Sequence, residues 1–226
     1  MKSKKSYRLF FLFLLLPLLL TGCIENEENR VEGEEYPAQV KEESREDIAG
    51  PLRIQAYFPF NQDLEYQFAG EGNEYASFIR KIIHVEDNFL QLTDNNGGTI
   101  VTSVYELDGK ELKKIYSQEE FYSEENLIPE VKGKKGPAVV VIKAPLAEGN
   151  SWENDGERRE IVAVNQNVEL PAGTFHGVLK LMIEYKESGA RAYEYYAPNL
   201  GLIGKEYESE GFKVSSKLLS FVLRKE

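Results

Sequence analysis

The side chains that most often carry catalysis or bind metals are few in this sequence, and their spacing matches no common site. The only histidines are His84 and His176, and neither has a second histidine at metal-ligand spacing. There is no Gly-x-Ser-x-Gly elbow, no His-Glu-x-x-His motif and no calcium loop of EF-hand spacing. We therefore predict no catalytic residue, no metal site and no cofactor.

Carboxylates are the one reactive group present in excess. Adjacent pairs occur at Glu119-Glu120 and Glu124-Glu125, and two facing carboxylates can act as general acid and base in a hydrolase. An acidic chain supplies such neighbours without any glycosidase geometry. We interpret them as solvated surface charge, and keep a carboxylate-dependent envelope hydrolase as an alternative function.

The only cysteine, Cys23, follows a segment typical of a secretory signal peptide. Residues 1–22 combine a basic start, an apolar run from Leu9 to Leu20 and the small residues Thr21 and Gly22. The apolar run has about a dozen residues, too few to span a bilayer core of roughly 30 Å. We therefore predict export of the chain and removal of residues 1–22.

The end of this segment, Leu20-Thr21-Gly22-Cys23, resembles the lipobox of bacterial lipoproteins. The resemblance implies that a diacylglyceryl group is attached to Cys23 and that the chain is cut before it. Two or more acyl chains give stable membrane attachment, whereas one chain gives marginal binding. We expect a protein anchored to the cell membrane through the lipid on Cys23, on its extracytoplasmic face.

Residues 23–50 are predicted to form the lipidated, acidic, disordered tether. The segment carries ten carboxylates against three basic residues and few apolar side chains. Without the four basic residues ahead of Cys23, the formal net charge changes from −11 to −15. An acidic surface repels phosphate backbones, so we predict no nucleic-acid partner.

Residues 51–226 are predicted to form a β-rich globular domain, because β-branched and aromatic residues alternate in short runs between turn signals. The clearest hairpin joins residues 100–107 to 110–112 through Asp108-Gly109, since Asp-Gly accepts positive φ at both turn positions. Alternation over residues 212–222 predicts a last strand that closes the sheet. Further turns are predicted at Asn95–Gly98, Leu170–Gly173, Ser188-Gly189 and Glu210-Gly211.

The predicted fold class is mainly β: an antiparallel meander forming an open or partly closed barrel-like sheet, with at most one short helix. That helix would cover Lys113–Glu125, where apolar residues fit a helical stripe about as well as a strand. A weak resemblance of Pro59–Tyr66 to Pro145–Trp152 would, if it reflects a true duplication, divide the domain into two similar halves, 51–144 and 145–226. Motifs this short also recur by chance.

Several motifs in this domain resemble those of uncharacterised secreted β-rich lipoproteins of Gram-positive bacteria. They are Tyr57-Phe58-Pro59-Phe60 with Tyr66, Pro145-Leu146 with Gly149 and Trp152, Leu170-Pro171-Ala172-Gly173-Thr174-Phe175, and Tyr195-Tyr196-Ala197-Pro198-Asn199-Leu200-Gly201-Leu202-Ile203. The first motif departs from the family, which usually carries Gly-Asn and a Trp where Asp63–Tyr66 stands. The resemblance implies an envelope location and β architecture, and it brings no activity. Some relatives are similar to half-barrel sheets that hold acyl chains or lipoprotein cargo.

Aromatic side chains are the remaining candidates for a binding surface. Rings can line an apolar groove or stack on sugars, and they can equally build the core of a sheet. Strand alternation sends Tyr193 and Tyr195 to one face and Tyr196 to the other. We take these three with Tyr66 and Trp152 as candidate ligand-binding residues, and the core interpretation applies most to Tyr66 and Trp152.

The sequence therefore favours a non-enzymatic, membrane-anchored binding module of the cell envelope. Its concave face would bind a hydrophobic ligand such as a lipid, a cell-wall polymer such as a glycan, or another envelope protein. A structural or assembly factor of the envelope is the first alternative, and the carboxylate-dependent hydrolase is the second.

Overall fold

The structure, a computed structural model, describes residues 53–60, 64–134 and 136–223. The predicted signal peptide, the lipidation site Cys23 and the predicted tether lie outside these residues. Among the described residues, no helix combines the length and apolarity needed to cross a membrane.

The described chain is almost entirely β-strand, with two single-turn helices, α1 (Ile54–Tyr57) and α2 (Ile128–Val131). The strands are β1 (Leu64–Glu71), β2 (Phe78–Glu86), β3 (Phe89–Asn95), β4 (Ile100–Leu107), β5 (Glu111–Gln118), β6 (Val139–Lys143), β7 (Ser151–Asn154), β8 (Glu157–Leu170), β9 (Gly173–Tyr185), β10 (Arg191–Ala197), β11 (Gly201–Ser209) and β12 (Phe212–Leu223).

All twelve strands belong to one antiparallel sheet in the order β6-β5-β4-β3-β2-β1-β12-β11-β10-β9-β8-β7. Each half of the order is a six-strand meander, and the two meanders join where β1 pairs with β12, from Leu64 opposite Leu223 to Glu71 opposite Ser215. The last strand thus lies in the middle of the sheet, while β6 and β7 are its edges. The predicted mainly β, partly closed barrel-like meander is confirmed.

Two details of the fold prediction are wrong. The described chain has two short helices rather than at most one, and the region Lys113–Glu125 is not helical. Residues 111–118 form β5, because pairing with β4 on one side and β6 on the other satisfies their backbone groups. The helix α2 begins further on, at Ile128.

The predicted hairpins at Asn95–Gly98, Ser188-Gly189, Glu210-Gly211 and Leu170–Gly173 are all present as links between consecutive strands. At the β4–β5 turn only Gly109 takes a positive φ, of 87°, whereas both turn positions were expected to do so. The Asp108 carboxylate instead accepts the backbone N–H groups of Lys110 and Glu111, at 3.0 and 2.8 Å. The Asp108 side chain thus stabilises the turn by hydrogen bonds, without a positive φ at Asp108.

One face of the sheet encloses the main core. Directly opposed residues in antiparallel pairs point to the same side, so apolar residues on neighbouring strands line this face together. The core side chains with no exposed surface come from strands all around the sheet: Leu90, Leu112, Ile142, Ile161, Val178, Leu179, Leu181, Ile203 and Leu218. Each fully buried aliphatic side chain contributes about 1.5–3 kcal/mol. This burial holds the sheet curved around its interior.

Helix α1 covers one end of this interior. Its buried Tyr57 donates a hydrogen bond to the carbonyl of Gly177 at 2.9 Å, and the amide of Asn199 donates to the carbonyl of Ala56 at 2.6 Å. Tyr66 lies beneath and donates to the carbonyl of Leu200 at 2.9 Å. Two of these contacts lie at the β10–β11 turn and the third lies on β9, so the opposite end of the interior is the one that α1 does not cover.

A second, smaller apolar cluster lies on the outer face of β2–β5. Here the chain after β5 packs Phe121, Leu127, Ile128 and Val131 onto the sheet. The buried Gln91 fixes this segment: its Oε1 accepts the Leu127 N–H at 2.8 Å, and its Nε2 donates to the carbonyl of Glu125 at 3.0 Å. The segment therefore covers a face that would otherwise be an exposed apolar patch.

The edge strands β6 and β7 are linked by side chains, not by a backbone ladder. Asn154 Oδ1 accepts the Val140 N–H at 3.0 Å, while Trp152 Nε1 donates to the Val140 carbonyl at 2.8 Å. Asn150 Nδ2 donates to the carbonyl of Lys143 at 2.9 Å. These bonds satisfy the open edge of β6 and leave it less available for pairing with another chain.

Candidate binding cavity

The interior of the sheet contains buried charges beside its aliphatic core. Arg80 on β2 and Asp94 on β3 are directly opposed in the strand register. Arg80 Nε and Nη2 donate to the two carboxylate oxygens of Asp94, both at 2.7 Å, and the Arg80 side chain is 9% exposed. This two-bond geometry is the strongest that an arginine and a carboxylate make.

A second buried network is centred on Arg159 of β8. Its Nε donates to Glu157 at 2.6 Å, and its Nη1 donates to Glu194 at 3.2 Å and to the Val141 carbonyl at 3.3 Å. The Tyr196 hydroxyl donates to the same Glu194 oxygen at 2.8 Å. Arg159 thus ties β8 to β10 and to the edge strand β6 across the interior.

The pKa values of the two interior carboxyls follow from these contacts. Burial alone would raise the pKa of Asp94, but the guanidinium of Arg80 outweighs it and holds that pKa below its ordinary value. Burial opposes the ionised form of Glu194 too, yet Arg159 and other cations keep the pKa of Glu194 below its usual range. Both groups are therefore carboxylates at neutral pH.

These charges surround an inner cavity of about 230 Å³. Four cationic side chains, Arg80, Lys114, Arg159 and Lys205, line it against two carboxylates, Asp94 and Glu194. The serines of the facing strands β4 and β5 and the ring of Tyr105 complete the wall. The cavity is therefore polar and carries more positive than negative charge.

A wider outer cavity of about 390 Å³ lies towards the end of the interior that α1 does not cover. Aromatic rings form much of its wall: Tyr75 on the β1–β2 turn, Phe78, Tyr185 and Tyr207. Glu194 and Lys205 line both cavities, so the outer and inner spaces are adjacent. The two side chains at the boundary between the cavities, Glu194 and Lys205, are thus both charged.

Lys205 is placed between the two cavities by the pairing of β11 with β10, which sets it opposite Glu194. Its Nζ lies 4.8 Å from the centroid of the Phe78 ring, and Phe78 itself stacks on Phe68 with 4.3 Å between centroids. Burial lowers the pKa of Lys205, and Asp94 offsets this only in part.

Three of the five predicted ligand-binding residues are buried in the interior. Tyr66 and Trp152 are 2% and 7% exposed, and their polar atoms bond the carbonyls of Leu200 and Val140. Tyr196 is 3% exposed and lines the inner cavity, where it bonds Glu194. Only Tyr196 among these three therefore lies at the charged site.

Tyr193 and Tyr195 have their rings on the other face of β10. The Lys180 ammonium lies 4.5 Å from the centroid of Tyr193 and 5.0 Å from that of Tyr195, although Tyr193 also contributes to the wall of the outer cavity. Strand alternation predicted this division correctly, and the structure does not bring the five aromatic residues into one site.

The remaining chemistry-bearing residues lie elsewhere. His84 Nε2 bonds the carbonyl of Glu124 and His176 Nδ1 bonds Asn167 Oδ1, both at 2.8 Å. The pairs Glu119-Glu120 and Glu124-Glu125 are exposed, as predicted. Over residues 53–60, 64–134 and 136–223, no three His, Cys, Asp or Glu side chains are grouped to hold a metal ion.

Sequence reasoning missed the interior charges. Arg80, Asp94, Arg159, Glu194 and Lys205 come from five strands, and only the pairing register shows that they meet. One signal was available, since each stands at the position where strand alternation calls for an inward apolar residue.

No protein-family model and no curated protein sequence matches this chain. Two solved structures are similar in shape: a protein named as exported, with a YmcC-like fold, from Bacteroides fragilis, and a protein named as a lipoprotein from Parabacteroides distasonis. Each is 13% identical to this chain, with a TM-score of 0.40, over 74% of this chain and 98% of the other. At this level of similarity no ligand, activity or location is carried over.

Proposed function

We propose that this protein is a lipid-anchored, extracytoplasmic, non-enzymatic binding protein whose ligand occupies the outer cavity. The observation that carries the proposal is the cavity itself, about 390 Å³ of space walled by Tyr75, Phe78, Tyr185 and Tyr207 and floored by Glu194 and Lys205. Pockets for small ligands begin at about 300 Å³ and combine aromatic walls with a few polar groups. The lipobox ending at Cys23 supports the anchor and the location.

The chemistry of the cavity favours a glycan over a lipid. The aliphatic interior is filled by its own side chains, and those of Ile161, Leu179 and Leu181 have no exposed surface. An acyl chain entering the remaining space would meet charged groups, which cost free energy to desolvate. A sugar has both the apolar faces that aromatic rings contact and the hydroxyls that charged groups bond.

The two carboxylates at the inner cavity do not support the hydrolase alternative. A general acid at neutral pH needs a carboxyl whose pKa is raised, as in glycosidases. Here the pKa values of Asp94 and Glu194 are both lowered by their arginine partners. Both side chains are also held in ion pairs, so they are built to stay charged and in place.

A matched pair of exposed tyrosines tests the proposal. Tyr75 is 56% exposed at the outer cavity, and Tyr122 is 69% exposed on the segment after β5, away from that cavity. We expect Tyr75→Ala to weaken binding of cell-wall oligosaccharides about 2- to 10-fold, for an aromatic contact worth about 0.5–1.5 kcal/mol. Calorimetric titration of the full-length protein should show no change for Tyr122→Ala, and equal effects of both variants would contradict the proposal.

One observation favours an envelope assembly factor as the second candidate. The end of β12 exposes Leu219, Phe221, Val222 and Leu223, each between 44% and 54% exposed. Clustered exposed apolar residues often mark protein interaction surfaces. Under this alternative, Phe221→Ser would abolish association with an envelope partner while sugar binding stayed intact, and crosslinking in whole cells would detect the loss.

A further inference from the structure

The inner cavity holds two lysines whose charges are not matched by its carboxylates. Arg80 takes up both oxygens of Asp94, and Arg159 takes up Glu157 and Glu194. Throughout the part of the chain that the structure describes, neither Lys114 nor Lys205 forms an ion pair or a side-chain hydrogen bond, and the nearest partner of the Lys205 ammonium is the Phe78 ring. Both lysines nevertheless line the cavity.

Such an arrangement is costly without a binding partner. Burial lowers the pKa of Lys205, because taking an ammonium out of water is unfavourable unless an opposite charge or acceptors replace the water, and the like charge of Lys114 adds repulsion. The composition of the chain does not account for it, because the protein is acidic, with a formal net charge of −11. Surplus positive charge inside an acidic protein is a local feature of this cavity.

A buried hydroxyl points to the same conclusion. Tyr105 is 9% exposed and lines the inner cavity, and its ring is held by Phe58 with 5.0 Å between centroids. Its hydroxyl has no hydrogen-bond partner among the described residues, although a buried hydroxyl normally has one. Tyr66, by contrast, is also buried, and its hydroxyl bonds the Leu200 carbonyl. Tyr105 thus offers a free donor beside the two lysines.

From these groups we infer that the inner cavity binds one anionic oxygen group, a carboxylate or a phosphate, carried by the sugar ligand of the outer cavity. Lys205 and Lys114 supply the balancing charge, and the Tyr105 hydroxyl donates a hydrogen bond. The inference rests on the proposed function, because the sugar ring occupies the outer cavity against the aromatic wall. Lys205 lines both spaces and lies where the ring and its anionic group meet.

The carboxylates at the cavity do not cancel this site. Asp94 has both oxygens bonded by Arg80, and Glu194 accepts from Arg159 and from Tyr196. Their hydrogen bonds are thus taken by Arg80, Arg159 and Tyr196, and their charge offsets the burial of Lys205 only in part. The volume also limits the ligand, because about 230 Å³ accommodates a small charged group and not a second sugar chain.

Matched ligands separate this inference from the proposed function. The probes are methyl glucoside, methyl glucuronide, methyl glucoside 6-phosphate and inorganic phosphate, each titrated calorimetrically into the full-length protein in detergent. We expect the two anionic sugars to bind at least about tenfold more tightly than the neutral sugar. Inorganic phosphate should bind more weakly than the sugar phosphate, and equal affinities would show that free phosphate is the ligand.

Variants at one lysine identify the group responsible. We expect Lys114→Met to weaken the preference for anionic sugars and to leave the neutral affinity within about twofold, because Lys114 lines the inner cavity and not the outer one, while Lys114→Arg retains the preference. The control is Lys81→Met, on the outer face of β2, where Lys81 pairs with Glu65 at 3.3 Å. Binding of neutral and anionic sugars with equal affinity would overturn the inference and leave the proposed function standing. Binding of none of the four probes would overturn both.

Discussion

Replacing Asp94 with asparagine tests the role of the interior ion pairs most directly. The substitution keeps the shape of the side chain and removes its charge, so Arg80 is left charged, buried and without its carboxylate. The pair is close, with two bonds of 2.7 Å, and its side chains are 9% and 27% exposed. Removing one partner of a buried pair costs about 3–5 kcal/mol, mostly for the charge left behind.

The partial exposure of Asp94 places the expected loss at the lower end, about 3 kcal/mol, because water can reach Arg80 once the carboxylate is gone. For a domain of this size, a loss of about 1 kcal/mol lowers Tm by about 2–4 °C. We therefore expect Asp94→Asn to lower Tm by about 6–12 °C. Differential scanning calorimetry and urea denaturation would measure the change in the free energy of unfolding.

A surface pair provides the control for this experiment. Asp87 bonds Lys132 at 3.0 Å, but its side chain is 78% exposed, so Asp87→Asn should cost less than about 1 kcal/mol. Replacing both interior partners, as Arg80→Met with Asp94→Leu, should restore much of the loss because no charge remains buried. The reasoning is refuted if Asp94→Asn and Asp87→Asn destabilise the protein equally.

Three further predictions concern the segment after β5, the strand edge and acid. Gln91→Ala leaves the Leu127 amide without its acceptor, so the free energy of unfolding should fall by about 1–3 kcal/mol. Limited proteolysis between β5 and α2 should become faster, and an unchanged cleavage rate would contradict this prediction. Trp152→Phe removes one of the two side-chain donors to the Val140 carbonyl and leaves that of Asn154, so hydrogen exchange at β6 should accelerate more than at β3. Uniform exchange would count against the proposed role of the edge. The pKa of Glu194 is lowered in the folded state, so ionised Glu194 stabilises the fold fully above about pH 5, and this stabilisation is lost as pH falls through that pKa. Urea titrations from pH 7 to pH 3 should show the decline in the free energy of unfolding. The variant Glu194→Gln should show a smaller decline.

The strand connections were predictable from the sequence because each depends on a few local residues. Asp108-Gly109 and Leu170–Gly173 carry turn chemistry in two to four positions, and both link consecutive strands. The region 113–125 was ambiguous because a helical stripe and a β-strand use the same apolar residues there. Pairing of β5 with two neighbouring strands decided it, and that information is not local.

The candidate site could not be predicted for the same reason. Tyr66, Trp152 and Tyr196 stand out in the sequence as aromatic residues. The polar atoms of Tyr66 and Trp152, however, donate hydrogen bonds to backbone carbonyls and not to a ligand site. Lys114 and Lys205 look like ordinary surface lysines. Their meeting inside one cavity depends on the order and register of the strands that separate β5 from β11 in the sheet, which are β4, β3, β2, β1 and β12, and alternation alone does not determine these.

The pairing of β1 with β12 also sets the order in which the protein can fold. Synthesis delivers β1 first, and at about 5–20 residues per second the last strand follows roughly 7 to 30 s later. During that interval the meander of β1–β6 can form from contacts near in sequence, but the outer edge of β1 has no neighbour. An unpaired strand of this kind attracts other chains. A chaperone that shields β1 until β12 arrives would therefore raise the yield of native protein more than one that acts on the finished sheet.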